Sequence, residues 1–185
     1  YTIMIKEIMD QNKKNPFTHV FLQAGVGGMA AAMIAGFAKY SNNIPKFIIV
    51  EPENANCVFK SIKNNKATTV NIINETIMGG MSCGDVSTVA WEILKESSNF
   101  SLTITDDEIS MVVAMLAKAK LSNEKIIAGE CAVPGIIALI GLFKNKEYLD
   151  KLDLNQNSKI LLFGCEGLTD ATMYKKLLSD GLEKI

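Results

Sequence analysis

Residues 18–30 read Thr-His-Val-Phe-Leu-Gln-Ala-Gly-Val-Gly-Gly-Met-Ala, a short apolar strand running into a glycine cluster that opens into an alanine-rich helix. Gly25, Gly27 and Gly28 let the backbone turn tightly and come close to a ligand. The first N–H groups of a helix starting near Met29 then point at whatever sits in the turn, and the natural occupant is an anion such as a phosphate. Glycine turns between a strand and a helix also occur where no ligand binds, so the stretch alone leaves both readings open.

Outward from this stretch, strands and helices alternate. Residues 2–11 place Ile3, Ile5, Ile8 and Met9 at helical spacing among Lys6, Glu7 and Asp10, which predicts an amphipathic helix ended by 12–16. A strand at 18–23 leads through the glycine turn to a helix at 29–40, whose Ala30, Ala31, Ala32, Ala35 and Gly36 allow close packing on a sheet. A buried strand at 46–51 stops at Pro52; a helix at 54–64 and a short strand at 68–72 follow. The loop at 77–84, Ile-Met-Gly-Gly-Met-Ser-Cys-Gly, is too apolar for a solvent loop and is expected to line something. Next come a helix at 87–97 with Trp91 and Leu94 inward, and a strand at 100–104. Thr105-Asp-Asp-Glu108 reads as a capping box that starts a helix running to about 120. Residues 126–130 lead into a helix at 133–143 with Pro134 in its first turn, and 145–153 is polar and short. The last strand, 159–164, enters a second glycine turn, Gly164-Cys-Glu-Gly167, before a closing helix at 169–178.

Near-continuous apolar strands alternating with helices predict one α/β unit over residues 1–185: three layers, a mostly parallel sheet with helices on both faces. Ligands in such sheets sit outside the carboxyl ends of the strands. Both glycine turns fall there and can face one crevice.

Composition narrows the function. At 185 residues and 48% hydrophobic, the chain can bury one sizeable core. Nineteen Lys and Arg against twenty Asp and Glu, interspersed, leave no basic face for nucleic acid. The longest apolar runs, such as 133–143 with its Pro134, fall short of the roughly 20 residues that cross a bilayer, and no signal peptide opens the chain, so a cytoplasmic protein is expected. Cys57, Cys83, Cys131 and Cys165 show no CxxC pairing, which speaks against a zinc ribbon or redox dithiol. The single histidine, His19, lies in an apolar strand and reads as a core or strand-end residue rather than a metal ligand or triad member.

Taken together and in order, Gln23-Ala-Gly-Val-Gly-Gly28, Val50-Glu-Pro52, Met78-Gly-Gly-Met-Ser-Cys-Gly84, Gly129-Glu-Cys131 and Cys165-Glu-Gly167 resemble the C-terminal half of the fold type II pyridoxal phosphate enzymes. This is the superfamily of tryptophan synthase β and the threonine dehydratases, and the likeness is greatest to its diaminopropionate ammonia-lyases. The resemblance spans essentially the whole chain and implies pyridoxal 5'-phosphate as cofactor. It assigns Gly25, Val26, Gly27 and Gly28 to the phosphate-binding loop. It sets Cys165 where a Ser or Thr hydroxyl usually faces the pyridine nitrogen; a neutral group there restrains the ring as an electron sink and favours expulsion of a β-substituent. Read from the residues alone, the plainer alternative for Cys165 is a small buried hydrophobe at a strand end.

The same resemblance places Met78, Gly79, Gly80 and Met81 beside cofactor and substrate, with Gly129, Glu130 and Cys131 on a further turn bordering the pocket; a tight apolar crossover is the plainer account of the methionine-glycine stretch. Cys131-Ala132 stands where related chains more often have Ser-Gly, and Leu168 where an Asp commonly follows Glu-Gly. It also raises a disulfide between Cys57 and Cys83, against the reduced state usual for cytosolic thiols. The family reaction needs a Schiff-base lysine in a Ser-Phe-Lys-like context, and Phe59-Lys60 and Phe143-Lys144 are dipeptide coincidences on helices. That lysine is expected before Tyr1, in a longer enzyme of which this chain is the C-terminal portion, inactive alone and homodimeric when complete. The activity implied is conversion of 2,3-diaminopropionate to pyruvate and ammonia by α,β-elimination.

Three alternatives stay open: a threonine or serine dehydratase, a non-catalytic α/β module for a phosphorylated ligand, and a nicotinamide Rossmann domain. The last is weaker, because Gly25-Val-Gly-Gly is followed by Ala30 where GxGxxG ends in glycine, with Glu51 as candidate ribose ligand.

Overall fold

In β1 (His19–Gln23) and β2 (Lys46–Pro52), successive side chains leave the backbone on opposite sides, and each side has its own core. Phe21, Ile48 and Val50 belong to one cluster; Val20, Leu22, Phe47 and Ile49 belong to the other. A sheet apolar on both faces must be covered on both faces. This computed structural model describes residues 1–12 and 16–185.

The sheet has four parallel strands in the order β3-β2-β1-β4, with β3 at Phe100–Ile104 and β4 at Ile160–Leu161. The chain therefore builds outward from β1 to β3, then returns to place β4 on the other side of β1. Helices α1 (Thr2–Gln11), α2 (Gly28–Tyr40), α3 (Cys57–Asn64) and α4 (Thr88–Ser97) contribute to the core against Val20 and Leu22. Helices α5 (Ile109–Ala117), α6 (Pro134–Phe143), α7 (Lys146–Leu152) and α8 (Ala171–Leu182) contribute to the core around Phe21. The expected three-layer architecture is the one observed. His19 is buried, with Nε2 2.9 Å from the Leu152 carbonyl and Nδ1 2.8 Å from Thr18 Oγ1, a strand-end residue as expected.

Most expected elements are present, with their ends adjusted. The helix read at 54–64 splits into a 3-10 turn, Glu53–Ala55, and α3; β4 shrinks to two residues, and α5 ends at Ala117. The expected end of the first helix at 12–16 falls partly on 13–15, outside the described residues.

Two expectations are corrected, and one stretch with no expected element gains one. Residues 68–72 form no strand: Thr68 N donates to Ser61 Oγ and Val70 N to Gly84 O, single bonds to a side chain and a loop rather than a ladder. The capping box at 105–108 does not close. Asp106 instead accepts from Thr76 Oγ1 and Ile77 N, at 2.5 and 2.9 Å, and α5 starts after Glu108 with no side-chain cap. The polar stretch at 145–153 is helical: Asn145 caps Glu147 N, Leu152 is buried, and a Glu147–Lys151 pair bridges one turn.

Candidate functional site

Where β1 ends, Ala24 N still bonds to Val50 O at 2.9 Å, and then the chain turns away from the sheet. Gly27 closes the turn at φ 87°, a left-handed conformation natural to glycine, and α2 begins at the next residue. Among the described residues, the amides of 25–30 donate no hydrogen bond to protein. No acidic side chain occupies the first turn of α2. Free N–H groups and the positive end of the helix dipole therefore meet at one open spot. A Cβ on Gly28 would touch nothing within 4 Å, so that side of the loop is clear.

The loop is braced from beneath. Cys57 Sγ donates to Gly25 O at 3.5 Å, and a Cβ on Gly25 would stand 3.0 Å from Cys83 Sγ. Cys57 and Cys83 thus flank the same glycine, and both are free thiols in the structure, without the disulfide the resemblance raised. Burial, helped by the nearby Glu51 carboxylate, pushes the Cys57 thiol up to about 12. Glu51 itself is fully buried and caps α3, accepting from Val58 N at 2.8 Å and Phe59 N at 2.5 Å. Desolvation outweighs these bonds and raises its carboxyl to about 7.

The second wall comes from the turn after β4. Glu166 O accepts from Gly129 N at 3.1 Å, and its Oε2 accepts from Cys131 N at 2.7 Å. A Cβ on Gly129 would lie 2.6 Å from that carboxylate, so a side chain there would have to push Glu166 away from the turn. Gln23, at the tip of β1, bonds through Nε2 to Phe163 O, Cys131 O and Cys165 Sγ, at 2.8, 3.1 and 3.2 Å. Desolvation raises the Cys165 thiol above its ordinary value, partly offset by the Gln23 bond, so Cys165 presents a neutral S–H.

Both glycine turns therefore face one cleft of about 430 Å³, bounded by Gly25, Val26, Gly27, Gly28, Cys165 and Glu166 among others. It sits beyond the carboxyl ends of β1 and β4, where the strand order reverses, the usual place for a ligand in such a sheet.

Of the other expected residues, Gly80 and Met81 reach the cleft, whereas Met78, Gly79 and Glu130 do not. Met78 is fully buried in the core beside Phe21, Gly79 is exposed on a 3-10 turn (Gly79–Met81), and Glu130 begins another (Glu130–Ala132). Cys83 and Cys131, which the resemblance set near the pocket, line the cleft, and Gln23 and Glu166 line it without having been expected there. The available signal for Gln23 was an uncharged polar residue ending an otherwise apolar strand at the glycine turn. Lys60 and Lys144 are exposed, and no lysine is among the described residues lining the cleft.

Glu130, Cys131 and Glu166 bring potential metal-ligand atoms within 4.8 Å of one another. The buried Cys131 thiol is pushed up to about 12 and keeps its proton, and Glu166 is already held by the Cys131 amide, so the trio is a strap between two turns.

Uncommitted amides at a helix start and a neutral thiol across a cleft fit the phosphate and ring of a pyridoxal cofactor. Residues 1–165 match the family described as pyridoxal-phosphate dependent enzyme. Diaminopropionate ammonia-lyase of Escherichia coli strain K12 is 29% identical over 187 residues, 98% of this chain and 47% of the relative. The chain thus spans about half the length of the curated relatives it matches. Crystal structures of diaminopropionate ammonia lyase from Escherichia coli are similar in fold. The complex with an aminoacrylate-PLP azomethine reaction intermediate gives a TM-score of 0.83, and the complex with D-serine 0.84. Both are 29% identical and cover 98% of this chain, and 47% and 46% of the respective relative. On the family match over residues 1–165, with sheet and cleft in agreement, the chain belongs to the pyridoxal-phosphate dependent enzymes and has their fold type II architecture.

Proposed function

We propose that this chain is the C-terminal portion of an ammonia-lyase that converts 2,3-diaminopropionate and water to pyruvate and two molecules of ammonia by α,β-elimination. The observation that carries this reading is the set of unengaged amides at 25–30, opening on the same cleft as the Cys165 thiol. The substrate class is supported by the relatives, which share the sequence over 98% of this chain.

Pyridoxal phosphate, when bound, supplies the electron sink that lets an α-proton leave and a β-amino group be expelled. The residues of this chain position and tune. Amides of Gly25, Val26, Gly27 and Gly28 bind the phosphate without a counter-charged side chain, using the dipole of α2. Cys165 offers a neutral donor to the ring nitrogen, which keeps that nitrogen from carrying a full positive charge. Gly80 and Met81 close the cleft on the substrate side and exclude water. The Schiff-base lysine and the acid–base groups belong to the part of the enzyme outside this chain, so the chain alone is expected to release no pyruvate. We read the complete enzyme as a cytoplasmic homodimer acting on small amino acids; no helix among the described residues is long and apolar enough to cross a membrane.

The test is product analysis of the complete enzyme with 2,3-diaminopropionate, serine and threonine at equal concentration. The reading expects pyruvate and ammonia in a 1:2 ratio from diaminopropionate at a rate well above the others. Faster 2-ketobutyrate release from threonine would make it a dehydratase instead.

A further inference from the structure

Gln23 is only 4% exposed, and a buried side-chain amide needs partners. Its Nε2 has three, the carbonyls of Phe163 and Cys131 and the sulfur of Cys165, at 2.8, 3.1 and 3.2 Å. Carbonyls only accept, so the nitrogen must face them; a flipped amide would press Oε1 against two oxygens. Oε1 has no partner among the described residues. An unmet buried acceptor costs on the order of 1–3 kcal/mol, so the residue is held for what its nitrogen does. An amide N–H only donates, so the sulfur of Cys165 accepts on that side and its S–H is left to point elsewhere, beside the cleft both residues line.

We infer that Gln23 is the positioning residue of the Cys165 thiol: its amide occupies a sulfur lone pair, fixes the side chain against the end of the sheet, and leaves the S–H free to donate into the cleft. This deepens the cofactor reading given above and rests on it for the identity of the acceptor, the ring nitrogen. Because Gln23 ends β1 and also bonds to the carbonyls of Phe163 and Cys131, the thiol takes its place from the rigid sheet rather than from its own exposed turn. Two N–H hydrogens serve three acceptors, so one of them is shared between a carbonyl and the sulfur. A tie between backbone segments would need only the two carbonyls; the shared contact to sulfur sets the proposed role apart.

The experiment compares wild type with Gln23→Met, which keeps length and volume but has no donor. Iodoacetamide alkylation of Cys165 in the complete apoenzyme is followed by peptide mass spectrometry from pH 6 to 10. The amide bond favours the thiolate, so its loss is expected to move the alkylation midpoint of Cys165 upward by about half a pH unit, roughly a threefold slower reaction below the midpoint. An unmoved midpoint in a folded variant overturns the proposal and makes Gln23 a backbone tie. Should Gln23→Met not fold, Cys165→Ala answers from the other side: the side-chain amide resonances of Gln23 shift in an NMR spectrum if sulfur is a partner, and an unchanged pair overturns the inference. A parallel arm adds pyridoxal phosphate to wild type. Protection of Cys165 is expected, and its absence would count against the cleft as a cofactor site while the midpoint comparison still decides the role of Gln23.

Discussion

Glu51 is a carboxyl shut away from solvent beneath the glycine loop, neutral or charged according to pH near 7. Its folded-state value is raised above the ordinary carboxylate range, so the folded chain holds this proton more tightly than the unfolded chain. The resulting stability is complete below about pH 4.5 and is lost as pH rises through about 7. Denaturant unfolding from pH 5 to 8 should show wild type weakening by about 2 kcal/mol across that window and Glu51→Gln staying flatter; parallel profiles would contradict the buried environment. Gly27 gives a second test. At φ 87°, with a Cβ position 2.6 Å from Leu94 Cδ1, Gly27→Ala should strain the turn by about 1–2 kcal/mol and weaken pyridoxal phosphate affinity about tenfold, read by fluorescence titration of the apoenzyme. The glycines were legible in the sequence because a strand, a turn and a helix adjoin there. Gln23 and Glu51 were less so. The partners of Gln23 lie 108 to 142 residues away, and Glu51 resembled a nucleotide ligand until the start of α3 came to rest on it.

At the level of elements, apolar strands and alanine-rich helices declared themselves through periodicity, whereas elements set by polar contacts did not. The run Ala-Thr-Thr-Val-Asn-Ile-Ile at 67–73 has strand-forming side chains but no strand neighbour, and its amides go to Ser61 and Gly84 instead. Thr105-Asp-Asp-Glu108 has the spacing of a cap, yet Asp106 is drawn to Thr76 and Ile77. Seven polar-looking residues make α7 because Asn145 caps them and Leu152 anchors them. The α5–α8 contact is equally hidden in sequence and unusually tight: a Cβ on Gly181 would sit 1.9 Å from Ser110 O, and Lys184 Nζ bonds to Asp107 O and Ser110 Oγ. Gly181→Ala must therefore push backbone from backbone, and a loss of about 3 kcal/mol is expected in equilibrium unfolding. A loss below about 0.5 kcal/mol would show that the two helices do not meet as described.

Across the whole molecule, the sheet order decides where chemistry can occur. Building from β1 to β3 and then stepping back to β4 leaves one gap beyond the strand ends, and the two glycine turns open on it from either side. That gap was legible in outline, since both turns follow strands; its polar lining was not, because Glu166, Cys131 and Gln23 meet only when distant segments fold together. The central claim is that main-chain amides of 25–30 grip the phosphate of the cofactor. A crystal structure of the complete enzyme with pyridoxal phosphate tests it most directly. The account predicts phosphate oxygens within about 2.7–3.2 Å of at least three of those amides, with the ring directed toward Cys165. A phosphate bound elsewhere, or those amides turned onto protein acceptors, would contradict it.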